Sequence, residues 1–264
     1  PADDDENVSI HHCHHPNPST MPQDIPSTMP RHMRQLSAEA KQWDKWSDCY
    51  AQFARLAHWA PYQGDGHWAD ADMLPLGHIG ITAEQGNDRQ SLLTDAEQRT
   101  MLTLWSMARS PLMVGGDLPT SETRTIELLS NPMLREVTAG SSDNREIIRE
   151  RVRRVWGDDS TYIGDYIVWR AVAADRPDGT ASLYPGGVYI ALFWTGDQPH
   201  SCQLELQSAV GVAAATDQWI VRNLWNGSAR DLIHIEGQGV NRVIHADIEA
   251  HGVVWFVLKK EGGD

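Results

Sequence analysis

The feature that most constrains this chain is a change of texture near Ser141. Before it, apolar residues recur every three or four positions in stretches that alternate with short apolar runs. After it, the chain breaks into short alternating segments separated by turn residues. The first pattern specifies helices interleaved with buried strands, and the second specifies antiparallel strands that bury one face.

In the first part, Trp43, Trp46, Tyr50, Phe53, Leu56 and Ala57 step by three and four, which predicts a helix from about Ala38 to His58, stopped by Pro61 and Gly64. Thr94 with Glu97 three residues on forms a capping box, so a second helix begins there and buries Met101, Leu104, Trp105 and Ala108 before Pro111. Pro111 to Leu118 is a short apolar run ending in two glycines and an acid, the pattern of a parallel strand buried on both faces. A third helix is expected from about Ser121 to Leu129, closed by Asn131-Pro132, and the span from Gly77 to Leu93 reads as a Gly-rich polar loop.

Beyond Ser141, strands are expected at Tyr162 to Ala173, Gly187 to Gly196, Cys202 to Leu206, Trp219 to Trp225, Leu232 to Ile235, Val243 to Ile248 and Gly252 to Leu258. Arg176-Pro-Asp-Gly179 and Asn226-Gly227 supply turns, and the set reads as an antiparallel sandwich. Residues 1–32 hold six prolines, an acidic start and a His-His-Cys-His-His run; they read as loop or disorder. That run has ligand types suited to zinc or copper, but adjacent side chains cannot all face one ion. No metal site or cofactor is expected.

Composition excludes some partners. Thirty-six acidic residues against 22 basic ones give a formal net charge of −14, which disfavours nucleic acid and anionic membranes because both demand clustered Lys and Arg. A neutral or cationic substrate fits better. Three cysteines are too few for a disulfide framework, and no apolar run reaches membrane-spanning length. No charged n-region with an apolar h-region follows Pro1, so no targeting signal is read. Eleven tryptophans serve either as core or as flat platforms for sugar rings.

The stretch carrying chemistry is His67 to Gly77. In an extended segment Asp70 and Asp72 share a face with Trp68, at the end of a strand where β/α enzymes keep their working groups. The alternative for each aspartate is to cap the next turn or to pair with an arginine.

Three ordered signatures, His67 to Gly77, the helix from Thr94 to Ser110 with Leu104-Trp105, and Ser110 to Leu118, followed by Leu129-Ser130-Asn131, resemble the α-galactosidase family, glycoside hydrolase family 27. The resemblance implies α/β plus all-β architecture: the C-terminal part of a (β/α)8 TIM barrel over residues 33–140, followed by an antiparallel β-sandwich over 141–264. It also implies a retaining glycosidase for terminal α-galactosides, using two aspartates about 5 Å apart.

Residue by residue, the family pattern makes Met73 a lining of the sugar pocket and Asp70 and Asp72 supports beside it. Trp68 either stacks on a sugar or packs in the barrel. Glu39 falls where the family has its acid/base aspartate, and the arginine that grips substrate is either absent or supplied by Arg34, one place out of register. The Lys-x-Asp segment that carries the nucleophile is absent. The chain therefore reads as the C-terminal portion of such an enzyme, cut off upstream. The alternative is a non-catalytic fragment, or a carbohydrate-binding β-domain with barrel remnants. Members of this family are often secreted or lysosomal.

Overall fold

The computed structural model describes residues 44–64, 67–81, 87–156, 158–225 and 233–261. Helix α1, Trp46–Trp59, buries Cys49, Phe53 and Leu56 and ends in a tight turn at Ala60–Tyr62 with Pro61 in its second position. The expected start near Ala38 lies outside the described residues.

The polar loop after Gly77 is not wholly irregular. Strands β1, His78–Ile79, and β2, Arg89–Gln90, pair antiparallel within it. Helix α2, Asp95–Met107, starts on the expected capping box: Thr94 Oγ1 accepts from Glu97 N at 3.3 Å, and Glu97 Oε2 accepts from Thr94 N at 2.8 Å. Its buried face is wider than one stripe and takes in Thr100, Leu102, Thr103, Ser106 and Met107 as well. The cause is its position between the barrel strands and the β-sheet.

Asn131-Pro132 does more than close a helix. Helix α3, Thr123–Leu129, ends at Ser130, and Pro132 then opens helix α4, Pro132–Ala139, with Asn131 Oδ1 accepting from Met133 N at 2.9 Å. Proline is favoured at the first helical position because its missing N–H would have no partner there, and Asn is a strong N-cap.

From Ser141 the chain is antiparallel. A five-stranded sheet takes the order β3 (Ser141–Trp156), β4 (Asp159–Ala173), β5 (Val188–Trp194), β10 (Val253–Lys260), β7 (Trp219–Asn223). A three-stranded sheet takes the order β6 (His200–Glu205), β9 (Val243–Ile248), β8 (Ile233–Glu236), with the short helix α5, Leu206–Val210, after β6.

Strand β3 is absent from the sequence expectation because its charges, Arg145, Glu146, Arg149, Glu150, Arg151, Arg153 and Arg154, leave no apolar alternation. It is an edge strand hydrogen-bonded along almost all of β4, and charge on an edge discourages further pairing.

The large sheet is the middle of three layers. Ile167, Trp169, Ala171, Tyr189, Ala191, Phe193, Trp255 and Val257 join one core with Phe53, Leu56, Met101, Leu104 and Trp105. Their alternates Val168, Val188, Ile190, Leu192, Val254, Phe256 and Leu258 join a second core with Leu204, Ile244 and Ile248 of the small sheet. Every residue of β5 is buried, which is why Val188–Trp194 reads as an unbroken apolar run. Both faces are covered, and period-two alternation in side-chain direction then leaves no polar positions. Directional contacts tie the layers together: Phe53 meets Phe193 edge-on at 5.0 Å, Trp225 Nε1 donates to Thr103 Oγ1 at 2.9 Å, and Asn131 Nδ2 donates to Leu224 O at 2.9 Å.

Candidate functional site

The two barrel strands meet at Leu74 and Val114. Leu74 N donates to Met113 O at 2.7 Å and Gly115 N donates to Leu74 O at 2.8 Å, a parallel bridge. The parallel relation expected for an alternating α/β domain is present, but Pro111–Leu118 is not buried on both faces. Met113 is 47% exposed and Leu118 46%. Among the described residues, α2, α3 and α4 cover the side where Leu112 and Val114 pack.

His67 to Gly77 is not extended throughout. Asp72 has φ +77°, in the left-handed region, so Asp70 and Asp72 do not alternate along one strand face. Their carboxylates turn back on the chain: Asp70 Oδ1 accepts from Asp72 N at 2.9 Å, and Asp72 Oδ1 accepts from Met73 N at 2.7 Å. Short acidic side chains favour such turns and tolerate positive φ. Trp105 Nε1, from inside α2, donates to Asp72 O at 2.8 Å, and Ala71 N donates to Ser110 Oγ at 2.9 Å. Of the two alternatives to a working role, capping a turn or pairing with an arginine, the aspartates make the turn bonds.

The turn presents Met73 outward, 44% exposed. Its thioether lies over Gly115, where an added Cβ would stand 2.9 Å from Met73 Sδ. A side chain at 115 would therefore push Met73 away. Trp68 is half-buried with the Arg109 guanidinium 3.8 Å over its ring centroid. Arg109 is itself tied to Thr138 O at 3.0 Å and Ser141 O at 2.7 Å. A cation–π contact at that distance fixes the ring against the helix-to-sheet connection.

At the carboxyl ends of the two strands stands a polar cluster that the sequence reading does not contain. His78 Nδ1 lies 2.6 Å from Thr120 Oγ1, His78 Nε2 contacts Asp88 Oδ1, and Thr120 Oγ1 donates to Asp117 Oδ2 at 2.5 Å. His78 N donates to Ser121 Oγ at 3.0 Å, and Asp117 N donates to His78 O at 2.8 Å. Gly77 makes this possible, with φ +73° and room for no Cβ against Ser121 Oγ. The only sequence signals are the glycine and the terminal aspartate of the 110–118 run.

Nearby, Asp44 is fully buried and receives Arg89 Nε at 3.1 Å, Arg89 Nη2 at 2.5 Å and Leu92 N at 2.9 Å. Burial pushes its carboxyl upward, but the Arg89 and Leu92 hydrogen bonds outweigh that and hold it below its ordinary value. The pair fastens the entry of α1 to β2 and the residues after it.

Arg34 and Glu39 lie outside the described residues, as does the His-His-Cys-His-His run. Among the described residues no three His, Cys, Asp or Glu side chains converge on a possible metal site. No helix among them is long and apolar enough to cross a membrane, a statement that does not bear on β-barrels.

No protein-family model matches the chain. It is 26% identical over 215 residues to an α-galactosidase of Cyamopsis tetragonoloba, covering 81% of this chain and 42% of that protein. Its fold superposes on a family 27 β-L-arabinopyranosidase from Geobacillus stearothermophilus with TM-score 0.64 and 28% identity, over 90% of this chain and 49% of that one. A structure described as a putative α-N-acetylgalactosaminidase from Bacillus halodurans C-125 matches with TM-score 0.65 and 29% identity, over 83% and 45%. The chain spans about half the length of the proteins it matches. It is related, over the C-terminal part, to the α-galactosidase-like proteins of glycoside hydrolase family 27, and its fold is a partial β/α barrel followed by a β-sandwich.

Proposed function

We propose that this chain carries the C-terminal part of a retaining glycoside hydrolase acting on terminal α-galactosides. The observation that supports it most is the turn at Asp70–Met73, which stands beside the parallel strand pair with Met73 outward and both carboxylates occupied by backbone N–H groups. In this reading Met73 packs against the apolar face of the sugar ring. Asp70 and Asp72 hold that contact in place rather than moving protons, because each already serves as an acceptor for the turn.

Glu39 is the proposed acid/base, delivering a proton to the glycosidic oxygen as the bond to the leaving group breaks, with Arg34 gripping sugar hydroxyls. No Lys-x-Asp segment stands among the 264 residues, so this chain alone is expected to turn over poorly. The same observation favours the second reading, a non-catalytic carbohydrate-binding β-domain with barrel remnants.

The test is hydrolysis of an aryl α-galactoside by the longest natural chain containing these residues, beside the corresponding β-L-arabinopyranoside and α-N-acetylgalactosaminide. The first lacks the C6 group of galactose and the second carries an acetamido group at C2, so the three report on different sides of the ring. Turnover of another glycoside without the galactoside removes the substrate assignment. Glu39→Gln should lower kcat by about 10²–10⁴-fold, the range for losing general acid–base catalysis.

A further inference from the structure

A second concave surface lies away from Met73, where the first turn of α1 meets the ends of β4 and β5. It encloses about 390 Å³, within the range of about 300–1,000 Å³ common for small-molecule sites. Its walls are aromatic and held rigidly. Trp46 stacks one face on His251, with centroids 4.2 Å apart and planes 8° apart, and also lines the cavity. Tyr50 and Tyr162 both donate to the Asp165 carboxylate, at 2.6 and 3.1 Å, which fixes their rings. Trp194 donates Nε1 to Gln198 O at 2.7 Å and stacks on His200 at 4.4 Å.

His251 braces the arrangement. Its Nδ1 meets Glu97 Oε1 at 2.7 Å and its Nε2 meets Asp197 Oδ1 at 2.9 Å, joining the start of α2 to the loop after β5. The beginnings of α1 and α2 therefore both converge here. In a β/α barrel helices begin on the face where the strands end, the face that carries the active site.

The polar side chains over this aromatic wall are disengaged. Arg154 and Gln198 line the cavity and have no side-chain partner among the described residues, and Asp197 keeps one carboxylate oxygen beyond its contact with His251. Rigid rings at low entropy cost, with an adaptable donor pair and an acceptor above them, suit a flat ring with an apolar face and a rim of hydroxyls. One cation and one anion on the same lining disfavour a charged ligand.

We propose that this groove is a second sugar-binding site, taking a neutral saccharide unit on the same face as the barrel pocket, outside the Met73 contact. That the ligand is a saccharide rests on the glycosidase reading above. The site places the β-domain in contact with substrate: it would hold a further unit of an oligosaccharide while its terminal residue occupies the barrel.

The test is calorimetric titration of the 264-residue chain with raffinose, a neutral trisaccharide, beside Arg154→Ala/Gln198→Ala and Met73→Trp. Arg154 and Gln198 are exposed, so their removal leaves the fold intact. The double variant should weaken raffinose by about tenfold, as expected when hydrogen bonds from a charged group are lost, while Met73→Trp retains the affinity of this site. Binding that survives the double variant and vanishes in Met73→Trp overturns the proposal, as does absence of raffinose binding by the unaltered chain. Aryl α-galactoside hydrolysis reports separately on the glycosidase reading. Raffinose binding that depends on Arg154 and Gln198 supports the groove, while turnover of another glycoside without the galactoside, by the longest natural chain containing these residues, removes the galactoside assignment alone.

Discussion

Glu136 offers the sharpest test of how the helices and the sandwich are joined. It lies in α4, is 1% exposed, and its carboxylate gathers the loop between β4 and β5. Oε1 accepts from Ser182 Oγ at 2.9 Å, Leu183 N at 2.8 Å and Tyr189 OH at 3.2 Å, while Oε2 receives Arg176 Nη2 at 2.5 Å. Glu136→Gln can keep the three bonds at one oxygen, but it sets an amide NH2 against the guanidinium and leaves Arg176 with no countercharge there. Arg176 Nε is already buried without a partner. Breaking a buried pair on one side costs about 3–5 kcal/mol. The Arg176 side chain retains 16% exposure, so the lower end, about 3 kcal/mol, applies. For a unit of this size that is about 6–12 °C in Tm.

The loss should also depend on pH. Burial alone raises the Glu136 carboxyl, but the Arg176, Leu183 and Ser182 hydrogen bonds prevail and hold it below its ordinary value. A group whose pKa is depressed in the folded state contributes stability that is complete above the unfolded value, about 4.3, and is lost as pH falls through the folded one. The difference between the two proteins in thermal or urea unfolding should therefore be largest at neutral pH and shrink below about pH 4. A difference under about 1 kcal/mol at pH 7, or one that does not change between pH 7 and 3, would refute the reasoning.

Three further outcomes follow from the same geometry. Arg89→Ala strands the buried Asp44 carboxylate and should cost about 3 kcal/mol, read by urea unfolding; Asp44, held below its ordinary value, should make the wild-type advantage fade in acid by the same sign argument. Thr94→Ala removes the cap of α2 and should cost about 1 kcal/mol, measurable as a Tm drop of a few degrees. Cys49 and Cys202 are buried, with burial pushing the Cys49 thiol strongly upward and the Cys202 thiol to about 12; both should resist a thiol reagent in the native state and react in denaturant, by peptide mapping.

The parts of this molecule legible in the sequence are those where local chemistry and tertiary packing agree. Thr94 and Glu97 are a cap whatever surrounds them, and Val188–Trp194 is apolar at every position because both faces are covered. The 110–118 run is parallel, as its apolar texture suggests, but it is not buried on both faces. What escaped depends on partners distant in the chain. Strand β3 pairs through its backbone along β4 while its side chains advertise charge. Asp72 looks like a strand residue, but it takes a positive φ where Trp105 Nε1 of α2 donates to its carbonyl, and both carboxylates turn onto the backbone. His78, Asp88, Asp117 and Thr120 meet only because the two strand ends and the β1–β2 loop converge. Helices and sheet also share one continuous core through Phe53, Trp105, Phe193 and Trp255, a union that separate periodicities do not reveal.

The central claim is that these residues serve a retaining α-galactosidase with Met73 at its sugar pocket. Proton NMR of the first sugar released from an aryl α-galactoside, by the longest natural chain containing them, tests it most directly. The account predicts that the α-anomer of galactose appears before mutarotation, and that Met73→Trp raises KM or abolishes turnover. Initial release of the β-anomer, or turnover indifferent to Met73→Trp, would contradict it.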